Sequence, residues 1–89
     1  MTQMTKTVTV RYFASVREAI GQGAEQVATG AATLGALRDE LIARGGAHAE
    51  ALARGRALRM ALNQVMAADE GAALADGAEV AFFPPVTGG

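Results

Sequence analysis

Four aromatic rings serve the whole 89-residue chain, and they fall in two short segments near its opposite ends, Tyr12-Phe13 and Phe82-Phe83. Aromatic side chains carry a large share of the burial open to a small domain. Alanine contributes little burial, and 21 of the residues are alanine. The two aromatic segments must therefore meet in the middle of the fold. Residues 5–13 alternate, with Val8, Val10 and Tyr12 on one side and Thr7, Thr9 and Arg11 on the other, which is the period of a strand. Residues 79–83 form the last strand. The two are the most apolar strands of the chain, so they are expected side by side, parallel and central.

The intervening sequence supplies what a parallel pair needs, a crossover. Phe13 breaks the first alternation, and Ser15 is placed to cap a short helical turn that runs to Ile20 and ends at Gly21 and Gly23. Residues 25–28 read as a second strand paired back on the first. Thr33 opens the main helix, in which Leu34, Leu37 and Leu41 form one stripe, Arg38, Asp39 and Glu40 occupy the rest, and Gly45-Gly46 stops it. Residues 47–55 favour a polar helical turn and read as a mobile connector. Leu58, Met60 and Leu62 mark a third strand, Asn63-Gln64 a turn, Val65-Met66 a brief further strand, and Asp76-Gly77 another turn. The expected fold is α+β, two layers, with a mixed sheet of about five strands and one main helix on one face. Residues 1–83 form the domain, and residues 84–89 an extended, flexible tail.

Composition excludes several functions. A net charge of −1 with no basic run lacks the footprint of a nucleic-acid binder. The absence of cysteine removes disulfides, thiolate catalysis and cysteine metal sites. No apolar run is long enough for a membrane span and none resembles a leader, so a soluble cytoplasmic protein is expected. One histidine (His48), one serine (Ser15), one tyrosine (Tyr12) and one lysine (Lys6) are scattered along the chain, and His48 reads as a solvated surface residue. Adjacent carboxylates such as Asp39-Glu40 and Asp69-Glu70 read as solvated faces. No phosphate-binding glycine pattern occurs. No metal site and no bound cofactor are expected.

What remains is the end of the chain, Val86-Thr87-Gly88-Gly89 after Pro84-Pro85. At the average glycine usage of about 7%, a terminal pair arises in roughly 0.5% of chains, and somewhat more often in this glycine-rich one. Chain ends fray by default, so context has to decide. The prolines end sheet pairing and hold the tail extended. Five residues at about 3.3 Å each carry Gly89 roughly 16 Å beyond the domain. Two residues without Cβ make a thin wire that can enter a narrow site. The terminal carboxylate is a poor electrophile until it is joined to phosphate as an acyl adenylate, from which sulfur or an amine can displace AMP.

The run Phe82-Phe83-Pro84-Pro85-Val86-Thr87-Gly88-Gly89, preceded by residues 76–81, resembles the signature ending of the molybdopterin synthase small subunits. These are the MoaD family of ubiquitin-like sulfur carriers with a β-grasp fold. The likeness extends over the chain, through residues 10–18, the leucine helix and Leu62-Asn63-Gln64. It implies that a MoeB-like adenylyltransferase, using ATP and magnesium, converts Gly89 to a glycyl adenylate. A sulfur donor such as a cysteine desulfurase or rhodanese then yields 1-thioglycine, the C-terminal thiocarboxylate. It implies further that the tail enters the large catalytic subunit of molybdopterin synthase and gives sulfur to cyclic pyranopterin monophosphate, forming the molybdopterin dithiolene. The expected assembly is a heterotetramer of two carriers and two large subunits, in which the carrier is a sulfur donor without an active site of its own. Gly89 is then the reactive residue and Gly88 its slender approach. Phe83, Pro84, Pro85, Val86 and Thr87 dock and thread, and Arg17 is a candidate partner contact. Phe82 and Phe83 should point to opposite faces, with Phe83 the partner contact. The alternatives are a carrier of another pathway (thiamine-type), a ubiquitin-like protein modifier, and a β-grasp interaction module.

Overall fold

The computed structural model describes residues 5–53, 55, 57–65 and 69–85. Four strands and three helices follow in the order β1 (Lys6–Tyr12), α1 (Ala14–Ile20), β2 (Ala24–Thr29), α2 (Leu34–Ile42), α3 (Gly46–Ala51), β3 (Arg59–Leu62) and β4 (Glu79–Phe83). The sheet order is β2-β1-β4-β3. The first and last strands are indeed central and parallel, with Thr9 opposite Glu79 and Tyr12 opposite Phe82. The outer strands β2 and β3 pair antiparallel with β1 and β4.

The core lies between the sheet and the helices. Val8, Val10 and Tyr12 of β1 and Val80 and Phe82 of β4 are at most 1% exposed, on the same side as Leu34, Leu37 and Leu41 of α2. Tyr12 and Phe82 stack with ring centroids 6.3 Å apart. The Thr33 hydroxyl caps α2 by accepting from the Ala36 N–H at 3.2 Å. Segment 69–74 closes over the same end, where Gly35 N–H donates to the Glu70 carbonyl at 2.8 Å. A Cβ at Gly35 would meet the Glu70 side chain at 3.0 Å, so only glycine fits this approach without displacement.

Several expectations need correction. The sheet has four strands among the described residues. Val65 forms only an isolated bridge to Leu62, while Met66 lies outside the described residues. The bridge closes a turn in which Asn63 and Gln64 both take positive φ, 50° and 69°. That is the geometry of the primed turns that suit a twisted hairpin. Ser15 does not cap α1; the cap position is Phe13 and no side chain bonds there. Ser15 sits one residue inside the helix, too late to cap it.

The supposed connector is anchored. Residues 46–51 form α3, and Ala51 and Leu52 are buried. Gly45-Gly46 follows the end of α2, as expected, and Gly46 opens α3. Arg38, placed off the leucine stripe by the helical pattern, is only 4% exposed. Its guanidinium donates to the carbonyls of Leu52 at 2.8 Å and Ala53 at 2.7 Å, and to Glu70 Oε2 at 3.0 Å. These bonds satisfy the exposed carbonyl end of α3 and join it to α2 and to segment 69–74. Alanine content misled because the anchoring comes from an arginine outside the segment.

Because α2 is the main cover of the sheet, Leu37→Ala should cost about 3 kcal/mol through lost burial and a residual cavity. Chemical denaturation would measure it.

Candidate functional site

Strand alternation divides the sheet residues into two sets. The helix side takes Val8, Val10, Tyr12, Val80, Phe82 and Met60. The open side takes Arg11, Glu79, Ala81, Phe83, Ala61 and Arg59, as the registers across β1, β4 and β3 require. Phe13, just past β1, has the same parity and is 45% exposed. Ala14 has a φ of 52°, and the chain turns there from strand into α1.

The open side carries a recess of about 510 Å³, lined chiefly by Phe13, Ala61, Ala81, Phe83, Pro84 and Pro85. Two rings and two prolines stand around a floor of alanines. Arg11 and Glu79 face each other at its margin, with Arg11 Nε 2.5 Å from a Glu79 carboxylate oxygen. An apolar concavity with a paired charge at its edge fits an apolar side chain of another protein. β4 runs straight from this recess into the tail.

Phe82 is fully buried and Phe83 half-buried on the open face, as the alternation predicts. Phe83, Pro84 and Pro85 are brought together in one surface. Arg17 is exposed on α1, in a shallow depression that shares Ala14 with the recess. Val86, Thr87, Gly88 and Gly89 lie outside the described residues. Phe13 was missed as a site residue. Its signal was present, since it shares odd numbering with Arg11 and Thr9 and so belongs to their face.

A second polar constellation lies on the helix side. Tyr12 OH donates to Glu25 Oε2 at 2.7 Å, and His48 Nε2 lies 2.9 Å from the same oxygen. Arg44 donates to Glu25 Oε1 at 3.0 Å. An ionised carboxylate only accepts, so His48 carries its proton on Nε2. The His48 ring meets Tyr12 edge-on at 6.0 Å, so this histidine is not the solvated residue that its polar neighbours implied. Burial alone would raise the Glu25 pKa, but hydrogen bonds from His48, Tyr12 and Arg44 overcome it and hold the group at about 2. Burial, and then Glu25, push the Tyr12 phenol well above its ordinary value. Nothing here is arranged to attack a substrate; the cluster ties α3 and its approach to β1 and β2.

A four-stranded mixed sheet crossed by a helix, with a central last strand leading into a glycine-ended tail, defines the ubiquitin-like β-grasp proteins. The ThiS family model matches residues 10–89, and the chain belongs to that family. The Escherichia coli K12 molybdopterin synthase sulfur carrier subunit is 45% identical over 92% of this chain and 99% of its own. A Haloferax volcanii small archaeal modifier protein 1 superposes with a TM-score of 0.71 at 31% identity, covering 91% of this chain and 99% of that one. Subunit 1 and 2 of a molybdopterin-converting factor from Helicobacter pylori were solved as a protein–protein complex. A chain of that complex superposes with a TM-score of 0.61 at 29% identity, covering 93% of this chain and 99% of that one.

Glu25 has a folded-state pKa below its ordinary value of 4.5. The stability it contributes is present above about pH 4.5 and is lost as pH falls towards 2. Glu25→Gln should remove that acid dependence and cost about 1.5 kcal/mol at pH 7, as expected for hydrogen bonds to a charged group. Thermal melts across this pH range would test both.

Proposed function

We propose that the chain is the sulfur carrier subunit of a molybdopterin synthase. The observation that carries this reading is the family match, which runs through the tail to Gly89 and is joined by 45% identity to a named sulfur carrier over nearly all of both chains. In this reading the Gly89 carboxylate attacks the α-phosphate of ATP on an adenylyltransferase, with magnesium, and pyrophosphate leaves. Sulfur from a donor protein displaces AMP to give the thiocarboxylate. The tail then enters the large catalytic subunit and passes its sulfur to cyclic pyranopterin monophosphate, for the dithiolene. ATP and magnesium belong to the activating partner. The cytoplasm is the compartment this cycle implies, and no described helix is long and apolar enough to cross a membrane.

The fold supports a division of labour. The recess of Phe13, Phe83, Pro84 and Pro85 gives the large subunit a surface to grip at the root of the tail. Docking there leaves Val86 to Gly89 free to reach roughly 13 Å onward, at about 3.3 Å per residue. Arg17, exposed beside the recess, suits an acidic group on the adenylyltransferase. Two carriers and two large subunits would complete the assembly. The likeness to a small archaeal modifier favours a second reading, a tag joined to protein lysines.

The test is to incubate the chain with ATP, magnesium, the adenylyltransferase and a sulfur donor, and to take its intact mass. Exchange of one terminal oxygen for sulfur, followed by dithiolene formation once large subunit and substrate are added, is expected. Isopeptide adducts on other proteins with no dithiolene would support the tag instead. Deleting Gly89 should abolish sulfur transfer and leave Tm unchanged. Phe83→Ala should weaken binding to the large subunit about tenfold, the loss of roughly 1.4 kcal/mol expected of an aromatic anchor. An unchanged Kd by calorimetry would remove Phe83 from the interface.

A further inference from the structure

An acyl-activated terminus is a hazard to the protein that carries it, because any accessible amine can consume it. The 89-residue chain holds eight basic side chains, of which seven are arginine and one is lysine, Lys6. A guanidinium stays protonated and does not act as an acyl acceptor under ordinary conditions. Lys6 is thus the only side-chain amine.

Its placement is distinctive. Lys6 opens β1 and shares the even numbering of Val8, Val10 and Tyr12, so it stands on the helix side of the sheet, opposite the recess. It is half-buried, and Nζ donates to the Ala31 carbonyl at 2.7 Å, just beyond the end of β2. The parallel register puts Tyr12 level with Phe82, at the root of the tail. Lys6 lies six residues back along β1, or about 20 Å at strand spacing. The six residues after Phe83 span at most about 22 Å even when fully extended. Phe83 stands one step beyond Tyr12, seven strand spacings or about 23 Å from the level of Lys6, so a tail doubled straight back stops short of it.

We infer that Lys6 is a guarded amine: its bond to the Ala31 carbonyl and its position withhold it from acyl transfer, so that the activated terminus is not spent on self-conjugation. This rests on the acyl chemistry proposed above. For attack, Nζ must give up a proton to solvent and with it the charge-assisted character of its bond to the Ala31 carbonyl. Its lone pair then adds to the acyl carbon, the bond from that carbon to its leaving group breaks with the electron pair going to the leaving group, and an isopeptide C–N bond forms. Within one molecule the tail falls short. Between molecules the amine is engaged by the Ala31 carbonyl, and loss of that bond's net strength on attack slows acylation by about fivefold.

The test uses the full chain as a C-terminal thioester made by thiolysis of an intein fusion, which needs no adenylyltransferase and so does not depend on the sulfur carrier reading. Acylation of Lys6 is followed at pH 8 by intact mass and peptide mapping. Nα-acetyl-lysine serves as the free-amine reference, and Lys6→Arg identifies adducts formed at the α-amine. Expected is a Lys6 rate at least about fivefold below the reference in the native protein, rising to the reference when the thioester is held in denaturing urea. A smaller gap, or a gap that persists after unfolding, overturns the inference. If the gap is found but enzymatic thiocarboxylation fails, the guard stands and the carrier reading falls.

Discussion

The parallel pairing of β1 with β4 is the constraint on which everything else depends. It brings together the two ends of the sequence, and with them Tyr12 and Phe82, two of the four rings. It also fixes what lies on the far side, because the same register sets Arg11 beside Glu79 and Ala81 and leaves Phe83 next to Phe13 on the open face. Such a pair cannot form through a tight turn. The crossover through α2 is therefore a requirement, and its leucine stripe closes the core that the pairing begins.

Much of this was legible in the sequence because it depends on patterns of period 2 and 3.6. The alternation of β1, the leucines of α2, the Thr33 cap and the opposite facing of Phe82 and Phe83 all follow from local chemistry. What escaped depends on partners distant in the chain. Arg38 reads as surface until the carbonyls of Leu52 and Ala53 arrive beside it. His48 reads as solvated until Glu25, 23 residues away, supplies an acceptor. Residues 47–55 look weak because alanine buries little, and no local pattern announces that an arginine on another helix will hold them. Where a strand was expected, Val65 closes a turn, which looks the same in sequence over so few residues.

The candidate site was legible to a different depth. The terminal motif directed attention to the tail and to Phe83, but the surface at its root has a second ring, Phe13, and an alanine floor from two further strand positions. Alanines carry no motif, and their value here is to be small. The polar cluster around Glu25 shows the opposite case, in which an arrangement that looks catalytic on paper serves the packing of a helix.

The doubled phenylalanine of β4 has a consequence for fidelity. A strand that slipped by one residue would still offer a phenylalanine to the core, so the rings alone cannot choose the register. Glu79 can, because the slip that sets Phe83 in place of Phe82 would drive its carboxylate inward in place of the buried Ala78. Two hydrogen bonds between Glu79 and Asn63, with Asn63 N–H donating to the Glu79 carbonyl at 2.7 Å and Glu79 N–H donating to the Asn63 side-chain Oδ1 at 2.9 Å, pin the same choice at the hairpin. Each step of slippage would lengthen or shorten the tail by about 3.3 Å relative to the recess. One glutamate and one turn asparagine thus act as the zero mark of a molecular ruler whose far end is Gly89.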